Sequence, residues 1–94
     1  MADKQRKLCF IGSMSCAKTI ENTAKEYEQE GYCVRYVQPR PKESFMSLIE
    51  NAFDMIDWAE IVIPIPKKDG SFGEGTLYEM AYAKRKGKII IYER

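Results

Sequence analysis

Ninety-four residues make one domain, on the small side for an α/β fold, and 45% hydrophobic with 31% charged residues is the composition of an ordinary soluble globular protein. A net charge of +1 supplies no field for a nucleic acid polymer or an anionic membrane, and no apolar run approaches the ~20 residues of a bilayer span. There is no histidine, and the three cysteines, Cys9, Cys16 and Cys33, lack CxxC spacing, so a histidine-based triad is excluded and neither a metal site nor a cofactor is expected.

In chain order, a charged start leads into only four apolar residues (Leu8 to Ile11), too few for a signal peptide. With an odd, scattered cysteine count, this places the protein in the cytoplasm with reduced thiols. Residues 7–11 read as a strand buried on both faces. Gly12-Ser13-Met14-Ser15-Cys16 follows as a loop in which Ser13 or Ser15 can cap the next helix. Ala17, Ile20, Ala24 and Tyr27 recur at helical spacing, and Gly31 supplies a left-handed terminator. Residues 33–37 are β-rich but interrupted by Arg35, which suits an edge strand. Pro39 and Pro41 mark a loop. Phe45, Leu48, Ile49, Ala52, Phe53 and Ile56 then outline a second amphipathic helix with Ser44 as its N-cap.

A third strand begins near Glu60. Pro64 and Pro66 trouble it, since proline donates nothing to a ladder, so pairing is expected to stop around Ile63 or to pass through a bulge. A glycine-rich loop from Lys67 to Gly75 opens a third helix, expected from Thr76 to Arg85 and ended by Gly87. Residues 88–92 form the last strand. The order βαβαβαβ predicts a parallel sheet. Right-handed crossovers favour strand order 2-1-3-4, a short flavodoxin-like three-layer sandwich spanning residues 1–94 as one domain. Segments 12–19 and 67–79 then form two walls of one cleft at the switch point.

The first wall carries helix-start amides, two serines and Lys18, which together can hold a phosphate, although neither GxxxxGK[ST] nor GxGxxG spacing is present. On the second wall, Thr76-Leu77-Tyr78-Glu79 has the form of a capping box, in which Glu79 contributes on the order of 1 kcal/mol as a structural residue. Alternatively, Glu79 is a nucleophile at the cleft, kept ionised by the helix dipole and free amides. Cys16 lies near a helix start, where a thiol's pKa can fall. Asp54, Asp57 and Glu60 cluster at the end of the second helix, either solvated or with Asp57 capping the next turn. Trp58, Tyr78 and Tyr82 read as packing residues, and Lys84-Arg85-Lys86 complements the last turn of the third helix.

Phe10-Ile11-Gly12-Ser13, then Asp54, Ile56, Ala59 and Glu60, then Asp69-Gly70 and Gly75-Thr76-Leu77-Tyr78-Glu79-Met80-Ala81-Tyr82-Ala83 with Gly87-Lys88, resemble the nucleoside 2-deoxyribosyltransferase-like family. The likeness runs over most of the chain and is most specific in the last block. It implies a flavodoxin-like domain that binds a nucleoside or nucleotide and cleaves its N-glycosidic bond, passing the sugar to another base or to water. Glu79 corresponds to the family's nucleophile. Gly12 and Ser13, with Ser15, correspond to the loop that contacts a 5′-phosphate in relatives acting on monophosphates. Asp69, Gly73, Gly75 and Thr76 complete the implied substrate site, and a homodimer or higher homo-oligomer is implied as well. Two family aspartates are replaced here, by Gly73 six residues before the glutamate and by Ala52, and a strand-one tyrosine by Phe10. These departures leave an alternative, a non-catalytic nucleotide-binding or sensing module on the same fold.

Overall fold

A computed structural model describes residues 6–36 and 45–92, apart from the side chains of Phe45, Leu48 and Ile49. The expectations for Val37, Pro39, Pro41 and Ser44 lie outside these residues, as do the side-chain roles of Phe45, Leu48 and Ile49. The elements are β1 (Lys7–Ile11), α1 (Ala17–Gln29), β2 (Cys33–Tyr36), α2 (Phe45–Trp58), β3 (Ile61–Pro64), α3 (Glu74–Arg85) and β4 (Ile89–Ile90), with a 3₁₀ turn (Met14–Cys16) before α1. All strand pairs are parallel and the sheet order is β2-β1-β3-β4, the order that crossover handedness predicts. The fold is a flavodoxin-like α/β sandwich. Among the described residues no helix is long and apolar enough to cross a membrane.

Alternation along the strands divides the core in two. Leu8, Phe10, Ile61, Ile63 and Ile65 pack with Ile20 and Ala24 of α1. Cys9, Ile11 and Val62 pack with Met55 and Ile56 of α2 and with Met80 and Ala83 of α3. Both faces of β1 and β3 are therefore apolar, as parallel central strands require. Helices α1 and α3 end in the same way. The amides of Gly31 and Tyr32 donate to the carbonyls of Glu28 and Tyr27, and those of Gly87 and Lys88 to Lys84 and Ala83. Each glycine takes a positive φ, 101° at Gly31 and 73° at Gly87, so both ends are Schellman motifs. In the first, Tyr27 and Tyr32 also meet ring to ring at 5.7 Å. The edge position of β2 suits Arg35, whose guanidinium lies 4.3 Å from the Trp58 ring, a cation–π contact from the strand to the end of α2.

Two strand boundaries differ from the sequence expectation. Pairing of β3 with β1 does not stop at Ile63 and does not bulge. It runs in unbroken register from Leu8↔Ile61 to Ile11↔Pro64. Ile65 donates to Ile11 O at 2.8 Å, so by alternation the Pro64 nitrogen faces β4, beyond the last pair there, Val62↔Ile90. The missing N–H thus leaves no gap in the ladder.

The last strand is two residues, shorter than the expected 88–92. Ile90 packs under α2 and α3. Ile89 pairs with Ile61 and so shares its face, the one that α1 covers. A single helix about 10 Å wide reaches over only two or three strands spaced about 4.8 Å apart. Ile89 and Ile91 are left 48% and 44% exposed. This contrast has a measurable consequence. Ile56→Ala, at a fully buried side chain, is expected to lower unfolding free energy by about 2–5 kcal/mol, and Ile89→Ala by under about 1 kcal/mol. Urea midpoints of the two variants check it.

Candidate functional site

The site lies at the carboxyl edge of β1 and β3. After β1 the chain passes Gly12 so closely that a Cβ there would come within 2.9 Å of Ile20 Cδ1 and 3.1 Å of Ile65 O. Neither Ser13 nor Ser15 caps α1, contrary to the sequence expectation. The 3₁₀ turn intervenes, Ser13 precedes it in extended conformation with no side-chain capping bond, and Cys16 stands at the α1 N-cap without one. The two serine hydroxyls instead lie 2.7 Å from each other. The buried Cys16 thiol donates to Pro66 O at 3.5 Å, which stitches the loop after β1 to the loop after β3. Lys18 and Thr19 are exposed on the first turn of α1.

The loop after β3 folds into a tight turn, in which Gly70 N donates to Lys67 O at 2.9 Å and Lys67 N to Ser71 O at 2.8 Å. Asp69 is committed to this turn. Its Oδ1 accepts from Ser71 N at 3.0 Å and from Ser71 Oγ at 2.6 Å, and these bonds hold the carboxyl below its usual range. The two loops then meet as the strand order requires. A Cβ placed on Gly73 would lie 3.4 Å from Ser13 Cβ, 3.6 Å from Lys67 Cε and 3.8 Å from Lys67 Nζ. Ser13, Gly73 and Lys67 are thereby neighbours, although they come from opposite walls. Nothing in the sequence distinguishes Lys67 from Lys68; the direction of the turn does.

Helix α3 begins two residues earlier than expected, and this changes the reading of Glu79. Gly73 is the N-cap, with φ −68° and ψ 163° and no side-chain cap bond, and Gly73 O accepts from Leu77 N at 3.0 Å. Glu74 occupies the first turn, where a carboxylate complements the dipole. Gly75 is the second helical residue and half-buried, and Thr76 is the third and 3% exposed. The capping box is therefore absent. Thr76 is not the N-cap, and Glu79 stands a turn too far along to reach the free amides.

Glu79 falls instead three residues after Thr76 and four before Ala83, in line with the helix face that buries Thr76, Met80 and Ala83. It is half-buried. Among the described residues no hydrogen-bond donor or cation pairs with its carboxylate, and its oxygens keep some solvent contact. Burial pushes its pKa from 4.5 up to about 7, so the expected full ionisation by dipole and amides does not hold. Its charge reaches the Cys9 thiol of β1, which burial first and Glu79 second push up to about 12.

The remaining sequence candidates resolve differently. Asp57 does not cap a turn; its Oδ1 accepts from Tyr82 Oη at 2.7 Å, and Tyr82 stacks on Phe53 at 4.0 Å, which joins α3 to α2. Glu60 accepts from the Lys7 amide at 3.1 Å. Tyr82 and Trp58 pack as expected, but Tyr78 is 57% exposed, because it faces away from the stripe that carries Glu79. Lys84 and Arg85 do lie in the last turn of α3. Ala52 is buried in α2 and Phe10 in β1. Among the described residues no group of histidine, cysteine, aspartate or glutamate could hold a metal ion.

No protein-family model matches this chain, and comparison with curated proteins finds no match.

An unpartnered carboxylate in a burying stripe destabilises the fold once it ionises. With the folded pKa raised to about 7 from 4.5, the penalty is absent below the lower value, grows as pH rises between the two and is complete above the upper. Glu79→Gln is therefore expected to raise unfolding free energy at pH 8, on the order of 1–3 kcal/mol, and to leave it nearly unchanged at pH 4. Denaturant titrations at the two pH values test this.

Proposed function

We propose that the protein is an enzyme of the nucleoside 2-deoxyribosyltransferase kind, cleaving the N-glycosidic bond of a nucleoside or nucleotide with Glu79 as nucleophile. The observation that supports it most is the half-buried Glu79 carboxylate, without a partner among the described residues, on the helix that opens beside the Gly12–Ser15 loop. A structural glutamate gains a donor or lies in solvent; one held unpaired and raised toward neutrality is the arrangement expected of a reacting group. In the proposed reaction, ionised Glu79 attacks the anomeric carbon as the C–N bond breaks and its electron pair leaves with the base, which takes up a proton from solvent. Water, or a second base, then displaces the carboxylate from that carbon and gives up a proton, which returns glutamate to its starting state. Gly12, Ser13 and Ser15 bind the sugar end or its phosphate. Gly73, Gly75 and Thr76 shape the opposite wall, and Asp69 holds its loop.

The resemblance implies a homodimer or larger assembly, which the exposed Met14, Leu77 and Tyr78, close in sequence to the site residues, support. Three free thiols support a reducing compartment, the cytoplasm. A second reading, a nucleotide-binding or sensing module without turnover, is favoured by Gly73 and Ala52 standing where the resembled pattern has aspartates.

Base release measured by chromatography over a panel of ribo- and deoxynucleosides and their 5′-monophosphates separates the two. Turnover is expected from wild type, with Glu79→Gln reduced by at least about a thousandfold. Because only the ionised glutamate attacks, kcat/KM is expected to climb about tenfold per pH unit below about 7 and to level above it. Ligand-induced thermal stabilisation without base release would instead establish the binding module.

A further inference from the structure

We propose that α3 and β4 form the docking surface for a second copy of this chain, the two copies meeting across a two-fold axis at the open edge of the sheet beside Ile90. The surface is independent of the nucleoside reading and stands whether or not Glu79 reacts. Among the described residues, five of the seven exposed large hydrophobic side chains, Leu77, Tyr78, Ile89, Ile91 and Tyr92, belong to α3 or to the chain around β4. Strand β4 is the last of the sheet. The amides of Ile89 and Ile91 donate inward to Glu60 O at 3.3 Å and Val62 O at 3.0 Å, so by alternation the amide and carbonyl of Ile90 point to the open edge. Residues 89–92 carry no charge, proline or glycine, the devices that keep exposed edges apart. An antiparallel copy centred on Ile90 exchanges both of its outward hydrogen bonds with the partner's Ile90. Ile89 then lies opposite the partner's Ile91, on the face that α1 leaves uncovered.

Charge complementarity selects this occupant. Helix α2 lies over β1 and β2, and α3 over β3 and β4. On α3, Thr76, Met80 and Ala83 are buried toward the sheet, and Tyr82 stacks on Phe53 of α2. The flank turned away from α2, over the outer edge of β4, carries Glu74, Leu77, Ala81 and Lys84 at helical spacing, all exposed. Neither Glu74 nor Lys84 forms an ion pair among the described residues. Laid antiparallel on its own copy, this series is self-complementary: Glu74 meets the partner's Lys84, and Leu77 meets the partner's Ala81. Its centre is position 79, and one axis serves helix and strand together. Ile90 pairs with Val62 and Val62 with Cys9, and the Glu79 charge reaches Cys9, so the middle of α3 stands level with Ile90. The lateral spacing closes as well. With strands about 4.8 Å apart, a helix axis midway over β3 and β4 lies about 5 Å from the two-fold axis and about 10 Å from its mate, the ordinary separation of packed helices. Edge and helix flank together bury on the order of 1,000 Å² over the two copies, the low end for a specific interface, which makes a reversible dimer.

The test is sedimentation velocity from low to high micromolar concentration, with thermal melts to establish that each variant is folded. Wild type is expected to pass from monomer to dimer across that range. Glu74→Lys and Lys84→Glu each turn attraction into repulsion at two symmetry-related pairs, and each is expected to raise the dimer dissociation constant about tenfold. The double reversal Glu74→Lys/Lys84→Glu restores opposite charges and is expected to return it to within about threefold of wild type. Ile91→Lys, which sets a charge on the edge, is expected to remain monomeric throughout. A wild type that stays monomeric overturns the proposal. A dimer that survives Ile91→Lys does so too, since it must use another face, such as that around Met14. A double reversal that associates no better than the single ones overturns the antiparallel pairing of α3.

Discussion

The parallel ladder between β1 and β3 is the constraint on which the rest of the molecule depends. Its unbroken register from Leu8↔Ile61 to Ile11↔Pro64 places the last residues of both strands side by side, and the bond from Ile65 N to Ile11 O carries the pairing into the loops. Everything that follows those strands is then forced into proximity. Gly12 packs on the Ile65 carbonyl, Cys16 bonds Pro66, and Ser13 and Lys67 both come up against Gly73. Such a ladder survives only if both faces are covered, and residues from all three helices supply that cover.

Against this background the placement of Glu79 is a departure from the rule that burying positions are apolar. Thr76, Met80 and Ala83 obey it in the sense that each is buried; Glu79, among them, bears a carboxylate that water hydrates poorly and no described residue solvates. The energy of that desolvation is a few kcal/mol at most, small against the whole core but large against the net stability of a small domain. Retaining such a group costs the fold stability once it ionises, and burial lifts the carboxyl's pKa to about 7.

How much of this was legible in the residues depends on range. The chain order of strands and helices, the edge position of β2 signalled by Arg35, the double-sided burial of residues 8–11 and the glycine stops at Gly31 and Gly87 all follow from periodicity and backbone sterics, which act within a few residues. Parallel pairing in the order 2-1-3-4 follows from crossover handedness, and with it the meeting of the two loops. Less local features were not legible. Pro64 reads as a strand breaker until the partner on each side is known. Residues 88–92 read as one apolar strand until the width of α1 leaves half of them uncovered. Thr76-Leu77-Tyr78-Glu79 reads as a capping box until the helix is seen to start at Glu74.

The sequence by itself therefore determined the α/β class, the strand order and the two segments that must face one another, because hydrophobic period and chain handedness are properties of short stretches and of connectivity. Only the tertiary structure decided that Glu79 is a half-buried carboxylate, unpaired among the described residues, and not a cap, and that Lys67 lies against Gly73. Those outcomes turn on which side of a helix or turn meets the sheet. That is set by packing between segments some fifty residues apart in the chain, and no local pattern encodes it.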